Sequence, residues 1–108
     1  MKATYVQKGE ILDYVNQTGK TIDAGEIVEF GGRIGIAGTT ILAGEKGSLH
    51  MSGVFRVPKK DSEAIKEGDD VYYTEEGCSA AASDSNVRAG YAVKKAEANE
   101  KEVMVNLR

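Results

Sequence analysis

Residues 21–30 read TIDAGEIVEF, and residues 64–73 read AIKEGDDVYY. Ile22 aligns with Ile65, Gly25 with Gly68 and Val28 with Val71. In both segments a glycine stands just before a short run of strand-forming residues, as a turn stands before a strand. Further on, RIGIA from Arg33 resembles RAGYA from Arg88. The echo predicts two β units of similar design around one core. Matches of this length also arise by chance, so the sequence leaves duplication and coincidence both open.

Around these segments the dominant period is two. ILDYV at 11–15, EIVEF at 26–30, DVYYT at 70–74 and EVMVNL at 102–107 read as strands. In the last, Val103, Val105 and Leu107 share one face, and Met104 and Asn106 the other. SLHMSGVFRV, residues 48–57, reads as the longest strand candidate, with Gly53 marking a bulge or sharp bend inside it. Turn residues recur at intervals of roughly 8–12 positions, a spacing that suits a sandwich or barrel. One segment departs from the pattern. In PKKDSEAIKEG, Asp61 or Ser62 can cap a helix N-terminus, Ile65 offers a buried contact and Gly68 ends the run, which predicts a short helix over 61–67. The expected fold is a single mainly β domain over residues 1–108, barrel or sandwich, with that one helix.

Composition narrows the function classes. The 108 residues are 41% hydrophobic and 29% charged, with a net charge of -3, ordinary for one globular domain. Phosphate neutralisation along DNA needs a basic stripe instead, so no nucleic-acid partner is expected. The doublets Lys59-Lys60 and Lys94-Lys95 read as solvated loops or strand edges. The one cysteine, Cys78, has no intrachain partner, which fits assembly in a reducing cytoplasm. The opening MKATYVQKGE has no apolar export core, and no apolar run approaches the ~20 residues of a membrane span. No membrane partner is expected.

No reactive constellation emerges either. GTTILAGEKGS, residues 38–48, has the ingredients of a phosphate loop without its spacing: Glu45 and Gly47 break the Gly-Lys-Ser order, and the sequence after Ser48 favours strand over helix. His50 is the sole histidine, inside a strand-like run. Cys78 neighbours Glu75 and Glu76, the reverse of the electropositive setting a reactive thiol needs. The acidic pairs Asp69-Asp70 and Glu75-Glu76 alternate across a strand and do not converge. Ser83, Asp84 and Asn86 offer oxygen ligands, but the twelfth position from Asp84 is Lys95 where a calcium loop needs glutamate. The expectation is a binding domain with no catalytic residues, cofactor or metal.

Three stretches carry a family resemblance. TYVQKGEIL from Thr4 is similar to an NYVQPGD-like opening. AGEIVEFGGRIGIA, residues 24–37, resembles a glycine-bounded strand pair that ends in GVA. GVFRVPKKDSEAIKEGDDVYYTEEG, residues 53–77, resembles a GVfelpK…aI..GD.VYwD core, and AGYAV at 89–93 also fits. The chain thus resembles, over nearly its full length, small phage proteins described as capsid cement or decoration proteins, which have also been labelled RecA/RadA-type recombinases. Lys8 stands where the family favours proline, and Tyr73 where it favours tryptophan. The resemblance implies a structural protein made in the bacterial host cytoplasm. It would bind the major capsid protein on the outer surface of the assembled head as a homo-oligomer, a trimer first. The expected capsid or subunit contacts are Thr4, Tyr5, Val6 and Gln7, with Phe55, Val57 and Pro58. The same apolar residues equally suit a core. A DNA-binding recombination accessory and a carbohydrate- or host-binding module are the alternative functions.

Overall fold

A computed structural model describes residues 1–6, 9–81 and 86–107. It contains eight strands: β1 (Ile11–Val15), β2 (Ile27–Phe30), β3 (Arg33–Ala37), β4 (Lys46–His50), β5 (Gly53–Pro58), β6 (Asp70–Tyr73), β7 (Val87–Ala92) and β8 (Glu102–Leu107). They form two four-stranded antiparallel sheets, ordered β1-β4-β3-β2 and β5-β8-β7-β6. The architecture is sandwich-like and is not a closed barrel. The two halves of the chain therefore share one strand order.

The echoed residues occupy matching places in that order. Ile22 exchanges backbone hydrogen bonds with Ile41, and Ile65 with Ala96. Gly25 N–H donates to Ala37 O at 2.8 Å, and Gly68 N–H to Ala92 O at 2.7 Å. Both glycines turn the chain at positive φ, 90° and 86°, where a side chain would be strained. Even the buried polar residues correspond. Asn16 lies after β1 and donates from Nδ2 to Lys20 O (2.6 Å) and Ile41 O (2.9 Å). Lys59 lies after β5 and donates from Nζ to the carbonyls of Lys60, Glu63 and Ala98. Each side chain ties neighbouring loops together through their carbonyls and so satisfies its own buried polar group.

Three expectations need correction. Residues 61–67 are not helical: Ser62 has φ 61°, and Ile65 lies extended in its bridge to Ala96. A helix of under two turns gains too few hydrogen bonds to offset nucleation, whereas the extended strip gains two bonds to Ala96 and buries Ile65. Residues 48–57 are not one bent strand. The chain leaves the first sheet after His50 and enters the second at Gly53, whose φ of 113° makes the change of direction. Lys59 is not a solvated lysine; it is only 4% exposed.

The sheets pack through β3, which lies against β7. Ile34 and Ile36 join the larger core with Val57, Val71, Val103, Val105 and Leu107. On the opposite face of β3, Ala37 packs with Ile22, Val28, Ile41 and Leu49 in a smaller core, and Gly35 leaves room there for Leu49 and Met51. Gly90 marks the tightest approach: a Cβ there would sit 1.9 Å from Asn106 O on β8. Backbone cannot yield as a flexible side chain can, so Gly90→Ala should destabilise by about 3 kcal/mol or more. Gly32→Ala, in open space, should stay within about 0.5 kcal/mol. Urea unfolding of the two variants checks this; equal midpoints would refute the close approach.

Candidate contact surface

The residues with chemical potential are engaged in local structure. Of the 38–48 segment, Ile41 bridges to Ile22, and residues from Lys46 onward belong to β4, so a strand follows and not a helix. His50 ends β4, half-buried, with its ring 6.3 Å from that of Phe55. Asp69 Oδ2 accepts the Lys66 N–H at 3.0 Å, while Asp70 pairs with Arg88 at 2.8 Å on the surface. Glu75 and Glu76 occupy a turn. Ser83 and Asp84 lie outside the described residues. Among the described residues no three His, Cys, Asp or Glu side chains are placed to share a metal, and no helix is long and apolar enough to cross a membrane.

Cys78 is buried in the larger core, and burial pushes its thiol up to about 11. Tyr73 is also raised, first by burial and then by nearby negative charge from Glu29, Cys78, Glu75 and Glu26. An acid whose folded value is raised stabilises the fold below its unfolded value and loses that contribution as pH rises through the folded one. Stability should therefore fall between about pH 9 and 11. Cys78→Ala should flatten part of that slope in chemical unfolding measured across the range. An unchanged slope would mean that the thiol does not contribute.

The expected contact residues separate into two groups. Thr4, Tyr5 and Val6 lie on an N-terminal arm without strand pairing, with Tyr5 80% and Val6 85% exposed. Gln7 lies outside the described residues. Phe55 and Val57 point the other way: Phe55 is half-buried against the larger core, and Val57, at 2% exposure, is part of it. Pro58 is exposed, and its carbonyl accepts the Cys78 N–H. The cross-strand register explains the split, because Phe55 and Val57 stand opposite Val105 and Val103 on the inward face of β8.

Sequence reasoning passed over Ile11 and Val15, which are 49% and 48% exposed on one face of β1. The signal was available: Leu12 and Tyr14 alternate with them, so β1 is apolar on both faces although it lies at a sheet edge. Among the described residues, five of the eight large exposed apolar side chains are Met1, Tyr5, Val6, Ile11 and Val15. Isolated exposed apolar residues are unremarkable, but a concentration of them on an arm and the edge strand it enters is the usual mark of a contact surface.

A family model described as phage cement protein matches residues 6–107, which takes in all eight strands. No curated protein and no solved structure matches the chain. The family description agrees with a β framework whose polar groups serve its own loops and whose apolar excess lies at one end of the chain. The chain belongs to the phage cement protein family, whose members are structural rather than enzymatic components of the phage.

Proposed function

We propose that the protein binds the outer surface of the assembled phage head and stabilises the shell, with the major capsid protein as its partner. The family match along the whole β framework carries this reading. The exposed apolar arm supports it, since Tyr5 and Val6 are large side chains with nothing of their own chain to cover them. The physics is linkage: a ligand that binds the assembled shell and not free subunits stabilises assembly by mass action. One small domain offers a limited patch, so a homo-oligomer, a trimer first, gains by avidity, often ~10²–10⁴-fold. In this reading the chain is a single domain of two related β units, made in the bacterial host cytoplasm and resident on the capsid surface. Thr4, Tyr5, Val6 and Gln7 form the principal capsid or subunit contact, Pro58 adds exposed surface, and Phe55 and Val57 support it from the core.

Co-sedimentation with heads that lack the protein tests the proposal. Wild-type protein should bind heads in preference to unassembled capsid subunits and raise head survival under heat. Tyr5→Asp with Val6→Asp should weaken head binding by about tenfold or more, because each buried apolar side chain contributes about 1.5–3 kcal/mol. The unfolding midpoint should not change, since both residues are exposed. Equal binding to free subunits, or unchanged head survival, would reject the function. A variant that unfolds would move Tyr5 and Val6 into the core.

A further inference from the structure

The two halves differ in how their edge strands are joined, and the difference leaves a gap. In the second sheet the edge strands are β5 and β6, and the segment after β6 folds back between them. Cys78 N–H donates to Pro58 O (2.8 Å), and Lys60 N–H donates to Cys78 O (2.9 Å). Ser79 and Tyr72 exchange two more bonds, at 2.9 and 2.7 Å. Two extended residues thus join both edges, and Cys78 fills the space beneath them.

The first sheet has the same edges and no such segment. Its β2 turns directly into β3 at Gly31 and Gly32. The positions that match Pro58, Lys60 and Tyr72 are Val15, Gln17 and Glu29. In an antiparallel ladder alternate residues direct their backbone groups away from the partner strand. The register places Val15 and Glu29 at those outward positions on β1 and β2, with Gln17 in the same phase beyond β1. All three residues are exposed, and no described segment pairs with them there. Tyr14 and Phe30 meet edge to face beneath, with ring centres 6.3 Å apart, so the two edges face one another across an aromatic floor. A groove lined by Tyr14, Thr18, residues 20–22 and 26–29, and Tyr73 of β6 adjoins this opening at Tyr14 and Glu29.

We propose that this slot receives residues 3–6 of the N-terminal arm of a second copy, added as a short extended strand. The arm has the required properties. It has no strand pairing of its own, and added as a strand it would place Thr4 and Val6 on one face, so that Val6 can supply the small apolar side chain that Cys78 supplies in the second half. Residues 1–6 carry Lys2 and no carboxylate, while the groove carries Glu26 and Glu29 against Lys20. A second copy fits better than the arm's own chain. The segment that fills the second half pairs parallel to the end of β5, at Cys78 and Lys59, whereas an arm folding back from the start of its own β1 would run antiparallel to that strand. Arm into slot is a heterologous contact, which closes into a ring when the rotation between copies permits. The inference rests on the reading of the arm as a contact segment, and self-association in solution tests it without heads.

The test uses the full chain in sedimentation equilibrium and disulfide trapping. Cys78 can stay in place, since it is buried and its thiol is protonated at neutral pH. Wild-type protein should associate, and removal of residues 1–6 should raise the dissociation constant by about tenfold or more while the unfolding midpoint is unchanged. A mixture of Tyr5→Cys and Val15→Cys chains should yield mixed disulfide dimers under mild oxidation, because with Val6 in the place of Cys78, opposite Asn16, Tyr5 stands opposite Val15 with both side chains on the outward face. The double variant should yield a ladder. A monomeric wild type, association indifferent to loss of the arm, absence of mixed dimers, or a disulfide closed within one chain would each overturn the proposal. An oligomer that persists without the arm yet no longer binds heads would assign the arm to the capsid and overturn this inference alone. An arm-dependent oligomer that ignores heads would leave it standing and reject the proposed function.

Discussion

Ile34 and Ile36 belong to a strand of the first sheet but are buried in the core of the second. On the other face of the same strand, Gly35 and Ala37 border the smaller core. β3 is therefore covered on both sides, in a chain that has neither a disulfide nor, among its described residues, a helix to brace two sheets. Apolar burial is the dominant favourable term in folding, and here one five-residue strand connects both reservoirs of it. The small residues on one face and the branched ones on the other let the backbone approach Leu49 while still filling the space between the sheets.

The loops follow from a second constraint. Strand ladders satisfy most backbone groups, but the segments after β1 and β5 rely on one buried side chain each to hold their carbonyls. Asn16 and Lys59 solve the same problem with different chemistry. An amide donates two hydrogen bonds and accepts two at Asn16, and an ammonium donates three at Lys59. A buried lysine is costly unless its charge is well coordinated, and three carbonyl dipoles supply that coordination without a carboxylate. No buried side-chain nitrogen or oxygen among the described residues lacks a partner.

These economies leave a polar framework devoted to its own folding and an apolar surplus at one end. A protein of this kind acts through what it covers or is covered by. The asymmetry between the halves matters for the same reason. Where the second sheet closes its edges with Cys78 and Ser79, no described segment of the first joins Val15 and Gln17 to Glu29. Open strand edges are pairing sites by nature, and natural proteins either blunt them or use them.

Much of this was legible in the residues. The period-two runs placed β1 and β8 at their observed bounds and β2 and β6 within a residue, because alternation reports a strand half-buried on one face. The echo of residues 21–30 in 64–73 marked Gly25 and Gly68, which both take a positive φ, since a turn glycine before a strand is a local requirement. The family resemblance was legible for the same reason: its motifs are turns and strand starts. What the sequence alone could not determine was settled by distant contacts. The pairing of Ile65 with Ala96 overrode a local helical signal, and the opposition of Val57 to Val103 decided that Val57 faces inward while Tyr5 and Val6 do not. Lys59 is buried because carbonyls from Glu63 and from Ala98 converge on it, an arrangement no window around residue 59 contains. Local periodicity fixes which residues alternate, but only the packing of one sheet on the other decides which of the alternating faces meets water.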